Sequence, residues 1–85
     1  MPRYFFPVRR GQVTEVDRVG VELADIGEAV KEAMRRAAEI ARREASSGVA
    51  LKPGVVLIEE GWRTLLELPI EDVARSSSTA AISPR

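Results

Sequence analysis

The chain has 85 residues with no cysteine and no histidine. This removes thiol nucleophiles, disulfides, Cys/His zinc sites and imidazole acid–base chemistry, leaving carboxylates, hydroxyls and single groups such as Lys52 and Tyr4. Thirteen Lys+Arg balance thirteen Asp+Glu, which argues against nonspecific nucleic-acid binding, since that draws its affinity from excess cations on phosphate.

Three of the four aromatic residues lie in the first six positions. Arg3 to Val8 reads as a strand with Tyr4, Phe6 and Val8 on one face and Phe5 on the other. The apolar run Tyr4 to Val8 is too short for a signal peptide and ends in Arg9-Arg10. No stretch approaches the roughly 18 apolar residues of a membrane span, so the expectation is a soluble, cytoplasmic domain. Arg10-Gly11 marks a tight turn, and Gln12 to Val16 alternates as a second strand. Asp17 to Leu23 is irregular around Gly20, with a short extended piece over Val19 to Leu23.

Asp25 is suited to cap a helix, with Glu28 at capping-box spacing. Ile26, Val30, Ala33, Ala37, Ile40 and Ala41 recur at steps of three and four and mark its buried face. Glu32–Arg36 and Glu39–Arg43 are acid-before-base pairs along it. Ser46-Ser47-Gly48 stops the helix.

Pro53-Gly54 is a turn, Val55 to Glu59 a strand, and Glu60-Gly61 a second hairpin turn. Trp62 to Leu68 alternates, placing Trp62, Thr64, Leu66 and Leu68 on a core face and Arg63, Leu65 and Glu67 opposite. Pro69, with no N–H, ends the strand, and Ile70 to Val73 closes a domain over 1–73. Residues 74–85 have no periodicity and read as a disordered tail.

The order β-β-α-β-β closes as an α+β two-layer sandwich, a four-stranded antiparallel sheet with one long helix on one face. Counting in twos leaves Phe5, Leu65 and either Val55 with Leu57 or Val56 with Ile58 on the uncovered face. Such a row predicts an interface, hence a homodimer through this face or a sheet edge. The alternative is that the tail or Asp17–Leu23 folds over it.

Asp17, Glu22 and Asp25 are the carboxylates to test for Mg²⁺ or acid–base chemistry, but their spacing fits no metal loop, and Asp17 and Asp25 have local turn and capping roles. No metal and no cofactor are expected. Arg35, Arg36, Arg42 and Arg43, with Lys31 and Arg9-Arg10, are a candidate basic patch for phosphate. Neighbouring glutamates make a salt-laced solvated face an equal account. Gly20 and Gly27 form no phosphate-binding loop.

MPRYFF, Asp17 followed by Gly20-Val21-Glu22-Leu23 and Asp25, the alanine-rich helix and a last hairpin turning at Gly61 resemble a family of short bacterial proteins. That family is known as a domain of unknown function, with members that typically begin MPRYFFHV. The resemblance covers roughly residues 1–73 and implies no activity. The chain departs from it at Pro7, where His is common, and at Arg10, where an acidic residue is common. Pro7 predicts that the first strand lies at an edge, or that this position points away from a neighbour. A looser likeness, through Gly20 to Asp25 and Glu28-Ala29, is to HicB-type antitoxin domains, which implies toxin binding and dimerisation. The reading is a non-catalytic, self-associating protein-interaction or regulatory module. The alternative is a small ligand- or nucleic-acid-binding module using the arginine-bearing helix.

Overall fold

Two glycines set the hairpins. Gly11 and Gly61 each open a two-residue loop at φ +63°, a conformation a side chain would strain, between the last residue pairs Arg10↔Val13 and Glu60↔Arg63. The computed structural model describes residues 1–48 and 50–75. Around these turns run β1 (Arg3–Phe5), β2 (Val8–Arg10), β3 (Val13–Glu15), β4 (Val21–Glu22), α1 (Ile26–Ser46), β5 (Val55–Glu60) and β6 (Arg63–Pro69). A short helical segment follows at 70–75. It includes Ala74 and Arg75 from the expected tail, the rest of which lies outside the described residues.

The α+β architecture holds, but the sheet has six strands rather than four. The first expected span is split into β1 and β2, and β4 lies within the short extended piece expected over Val19 to Leu23. Tyr4↔Glu60, Phe5↔Glu59, Val8↔Val56 and Arg9↔Val55 share one continuous register, so β1 and β2 are a single path along β5. The path breaks at Pro7, which accepts a hydrogen bond from the Leu57 amide at 2.8 Å but has no N–H to return. On its other side this path pairs with β3 and β4, whose registers differ. The loop Asp17–Gly20 absorbs the slip.

The strand order is β3-β2-β5-β1-β4, with β6 on the outer side of β5. The first span is therefore central. The expectation that Pro7 marks an edge or points away from a neighbour is corrected, because its carbonyl faces β5. The helix carries the chain from β4 to β5, which run parallel with β1 between them.

Asp25 caps α1, its Oδ1 accepting the Glu28 amide at 3.0 Å, and Ser47 and Gly48 (φ +76°) end it. Ala29, Ala33 and Ala37 are its fully buried residues. Their small side chains let the helix settle onto Tyr4, Phe6, Val56 and Ile58, with Ile70 and Val73 closing the core from the 70–75 segment. Ile26, expected in that face, is 44% exposed. Near the other end, Arg10 donates to both carboxylate oxygens of Glu44 and to the Lys52 carbonyl, fixing the first hairpin to the end of α1. No helix among the described residues is long and apolar enough to cross a membrane.

Candidate interaction surfaces

A single helix about 10 Å across covers about two strands spaced about 4.8 Å apart. The sheet is wider than that, so α1 leaves a surface on each flank, and a third lies on the far side of the sheet.

The far side does not carry the expected apolar row. Val55, Leu57 and Glu59 of β5 face that side, because Val56 and Ile58 lie under the helix. Leu57 is only 5% exposed. Arg9 and Glu67 pair at 3.3 Å across β5 beside it, and Pro7, its partner in the ladder, is buried. Phe5 is half-buried there, its ring lying against Gly20. Leu65 is placed elsewhere. Ile58 pairs with Leu66 and Glu59 with Thr64, which makes Leu65 the extra residue of a β-bulge, packed against the helix-side core. Phe5 and Leu65 therefore do not share a surface.

On the β3 side, a cleft of about 340 Å³ runs between α1 and the strands, with Phe6, Val8, Val16 and Ile40 as its apolar lining. Arg35, Arg36 and Arg43 line its helix wall, whereas Arg42 does not. The guanidiniums are already engaged. Arg36 lies 4.6 Å from the Phe6 ring centroid and donates to Glu32 at 2.7 Å, with Asp17 at 3.7 Å. Arg35 donates to Glu32 and Glu39, and Arg43 to Glu39. These hydrogen bonds, Arg35's first, hold Glu32 down at about 2. A cleft with three paired arginines and as many carboxylates is a structural ion-pair lattice more than a phosphate site.

The acidic trio does not converge. Asp17 accepts the amides of Phe6, Val19 and Gly20, Asp25 caps α1, and Glu22 accepts from Arg3. Burial alone would raise the Asp17 pKa, but the three N–H donors and Arg36 outweigh it and lower it. Among the described residues no group of carboxylates could hold a metal ion.

The β6 flank is different in kind. At about 100° per residue, Ile26, Val30, Met34, Ala38, Ala41 and Ala45 fall within roughly 120° of arc on α1, and the one charge on that arc, Glu44 at its edge in line with Ile26, is held by Arg10. They lie away from the cleft wall and toward β6, against which α1 also packs. Met34 is 46% exposed and Leu66, on the helix side of β6, 40%. Trp62, read from sequence as core, stands 92% exposed in the turn that starts the same strand. The apolar strip was legible as surplus: six uncharged positions on a helix that buries three alanines.

A family model matches residues 3–71. The chain belongs to the domain-of-unknown-function family DUF6894. No curated protein matches it, and neither does any solved structure, so the HicB likeness is carried by no match. In this DUF6894 domain the flank between α1 and β6 carries none of the expected interface residues, Phe5 and Leu65, on its exposed apolar surface.

Proposed function

We propose that this DUF6894 domain is a non-catalytic protein-interaction module that docks a partner on the flank between α1 and β6. One observation supports this most. Ile26, Met34 and Leu66 stay 40–46% exposed, and Trp62 almost wholly so, along one helix–strand flank. The exposed Val13, Val16 and Val19 are instead spread along β3 and the loop after it, the cleft holds an ion-pair lattice and the far side the Arg9–Glu67 pair. Large apolar side chains gathered on one surface of a small domain favour an interface, and Trp is enriched among the residues that dominate binding energy. Self-association belongs to the same reading, with a second copy as one class of partner. The nucleic-acid alternative needs free guanidiniums, and three of the four helix arginines singled out already hold carboxylates.

Site-specific photo-crosslinking tests the reading. A crosslinker at Leu66 in cells should trap discrete protein species that one at Thr14, on the exposed β3 edge, does not, and Met34→Glu should abolish the product. A band at twice the monomer mass reports a second copy. Equal labelling from both positions, or none from Leu66, would sink the proposal.

A further inference from the structure

We infer that the occupant of the α1–β6 strip is an acidic amphipathic helix of another protein. This rests on the interaction reading above and names the chemistry of the partner.

The strip is bordered by cations. Around α1, the residues next beyond that arc are Lys31 and Arg42, within roughly 20° of one another at about 100° per residue, with Arg35 beyond them and already part of the cleft lattice. The glutamates Glu28, Glu32 and Glu39 come only after them, on the side toward the cleft. The Arg35 guanidinium turns to Glu32 and Glu39, and Lys31 touches Glu28 at 3.4 Å while remaining largely exposed. Arg42 has no ion-pair partner among the described residues. On the strand side, Arg63 pairs in the ladder with Glu60, which sits opposite buried Tyr4, so Arg63 points to the helix side of the sheet. It makes no ion pair among the described residues, not even with Glu60. A ligand entering between Lys31–Arg42 and Arg63 meets apolar side chains at the centre and, at the margins, the guanidiniums of Arg42 and Arg63, neither in an ion pair among the described residues, with exposed Glu60 beside Arg63.

A second copy is the wrong complement. Laid against itself about a two-fold axis, the strip would set its own basic border against the same border, and like charges across an interface are costly. A nucleic acid would satisfy the cations but leave Met34 and Leu66 without an apolar partner.

The partner's form follows from the same surface. Val30, Met34, Ala38 and Ala41 run along α1 at helical spacing, and the two alanines permit the close ridge-into-groove approach of a second helix. An added strand is disfavoured, because the bulge at Leu65 interrupts the outer edge of β6. An apolar ridge flanked by carboxylates is therefore the fitting ligand.

Selection from a displayed library of randomised helical peptides tests this, using the whole chain as bait. Enriched sequences should carry net negative charge beside an apolar ridge. Their affinity should fall at least about tenfold on Met34→Glu or Leu66→Glu, and also on Arg63→Glu, with unchanged circular dichroism. The expected salt dependence is a weakening as ionic strength rises. Neutral or basic peptides that lose binding on Met34→Glu overturn the acidic partner and leave the interaction reading standing. Sedimentation showing a dimer that Leu66→Glu dissociates replaces the acidic helix with a second copy. Binders indifferent to both apolar substitutions, or no enrichment at all, overturn this inference and the interaction reading together.

Discussion

The backbone amide of Phe6 donates to Oδ2 of Asp17 at 2.9 Å, a side chain standing in for a strand. Where β3 and β4 part, Phe6 has no backbone neighbour on that side, and the Asp17 carboxylate supplies the missing acceptor. The same carboxylate takes the amides of Val19 and Gly20, so it also shapes the loop that opens the gap. Asp17→Ala leaves these donors unpaired and is expected to cost about 1–3 kcal/mol. Asp17→Asn keeps one acceptor oxygen and should cost less. Urea titrations of the two variants check the order, and equal stability of wild type and Asp17→Ala would contradict it.

Gly20 sits inside that loop at φ +72°, and a Cβ there would lie 2.8–2.9 Å from the Phe5 ring and the Tyr4 carbonyl. Gly11 has a similar φ with open space around it. Gly11→Ala therefore carries the left-handed backbone penalty alone, about 1–2 kcal/mol. Gly20→Ala adds a clash with backbone and should cost at least about 1 kcal/mol more. Thermal melts of the pair separate the two effects.

Acid should unfold the domain in a window set by its engaged carboxylates. Glu32 is held at about 2 against an ordinary 4.5, and Asp17 and Glu44 are also lowered, Glu44 chiefly by its hydrogen bonds from Arg10. A depressed carboxylate adds stability that is whole above its unfolded value and is lost as pH falls through its folded one. Stability should hold above pH about 4.5 and decline toward pH about 2, and Glu32→Gln should flatten that decline. Chemical denaturation at stepped pH measures the slope. A decline that is the same with Gln at 32 would remove Glu32 from the account.

Trp62 is the sole tryptophan, so its emission reports one site. It should show the long-wavelength emission of a solvated indole and full access to acrylamide. Trp62→Ala should change stability by less than about 0.5 kcal/mol, as for surface substitutions. A blue-shifted, protected emission in the isolated domain would place the ring against protein instead.

Much of this fold is written in local signals. Gly11, Gly61, Asp25 and Ser46–Gly48 mark turns and helix ends through backbone conformation and capping, which neighbours in sequence decide. Trp62 and Leu65 depart from the alternation of their strand for one reason. The bulge at Leu65 inserts a residue between the turn and the rest of the strand, so Arg63 and Leu66 lie on the helix side and Thr64 and Glu67 opposite. Nothing in Arg63-Thr64-Leu65-Leu66 announces a bulge. The Asp17 loop was equally hidden, because its carboxylate answers an amide eleven positions away. On α1 the departure is of degree. Of the expected face, Ile26 is largely exposed, whereas Ala33 and Ala37 are fully buried and Val30 and Ile40 only partly so, packed against the core beside Ala38.

Pro7 has a consequence for how the molecule comes apart. The two hairpins are local in sequence and each closes on a two-residue turn, whereas the ladder from Tyr4↔Glu60 to Arg9↔Val55 joins segments separated by the whole of α1. Among the described residues that ladder is the sheet's only lengthwise seam between early and late chain, and proline leaves it one N–H donor short at its middle. Closing a long loop is slow, and a seam with fewer bonds opens before the hairpins beside it. The domain should breathe as two halves, with the Leu57 amide exchanging ahead of those that bind β5 to β6.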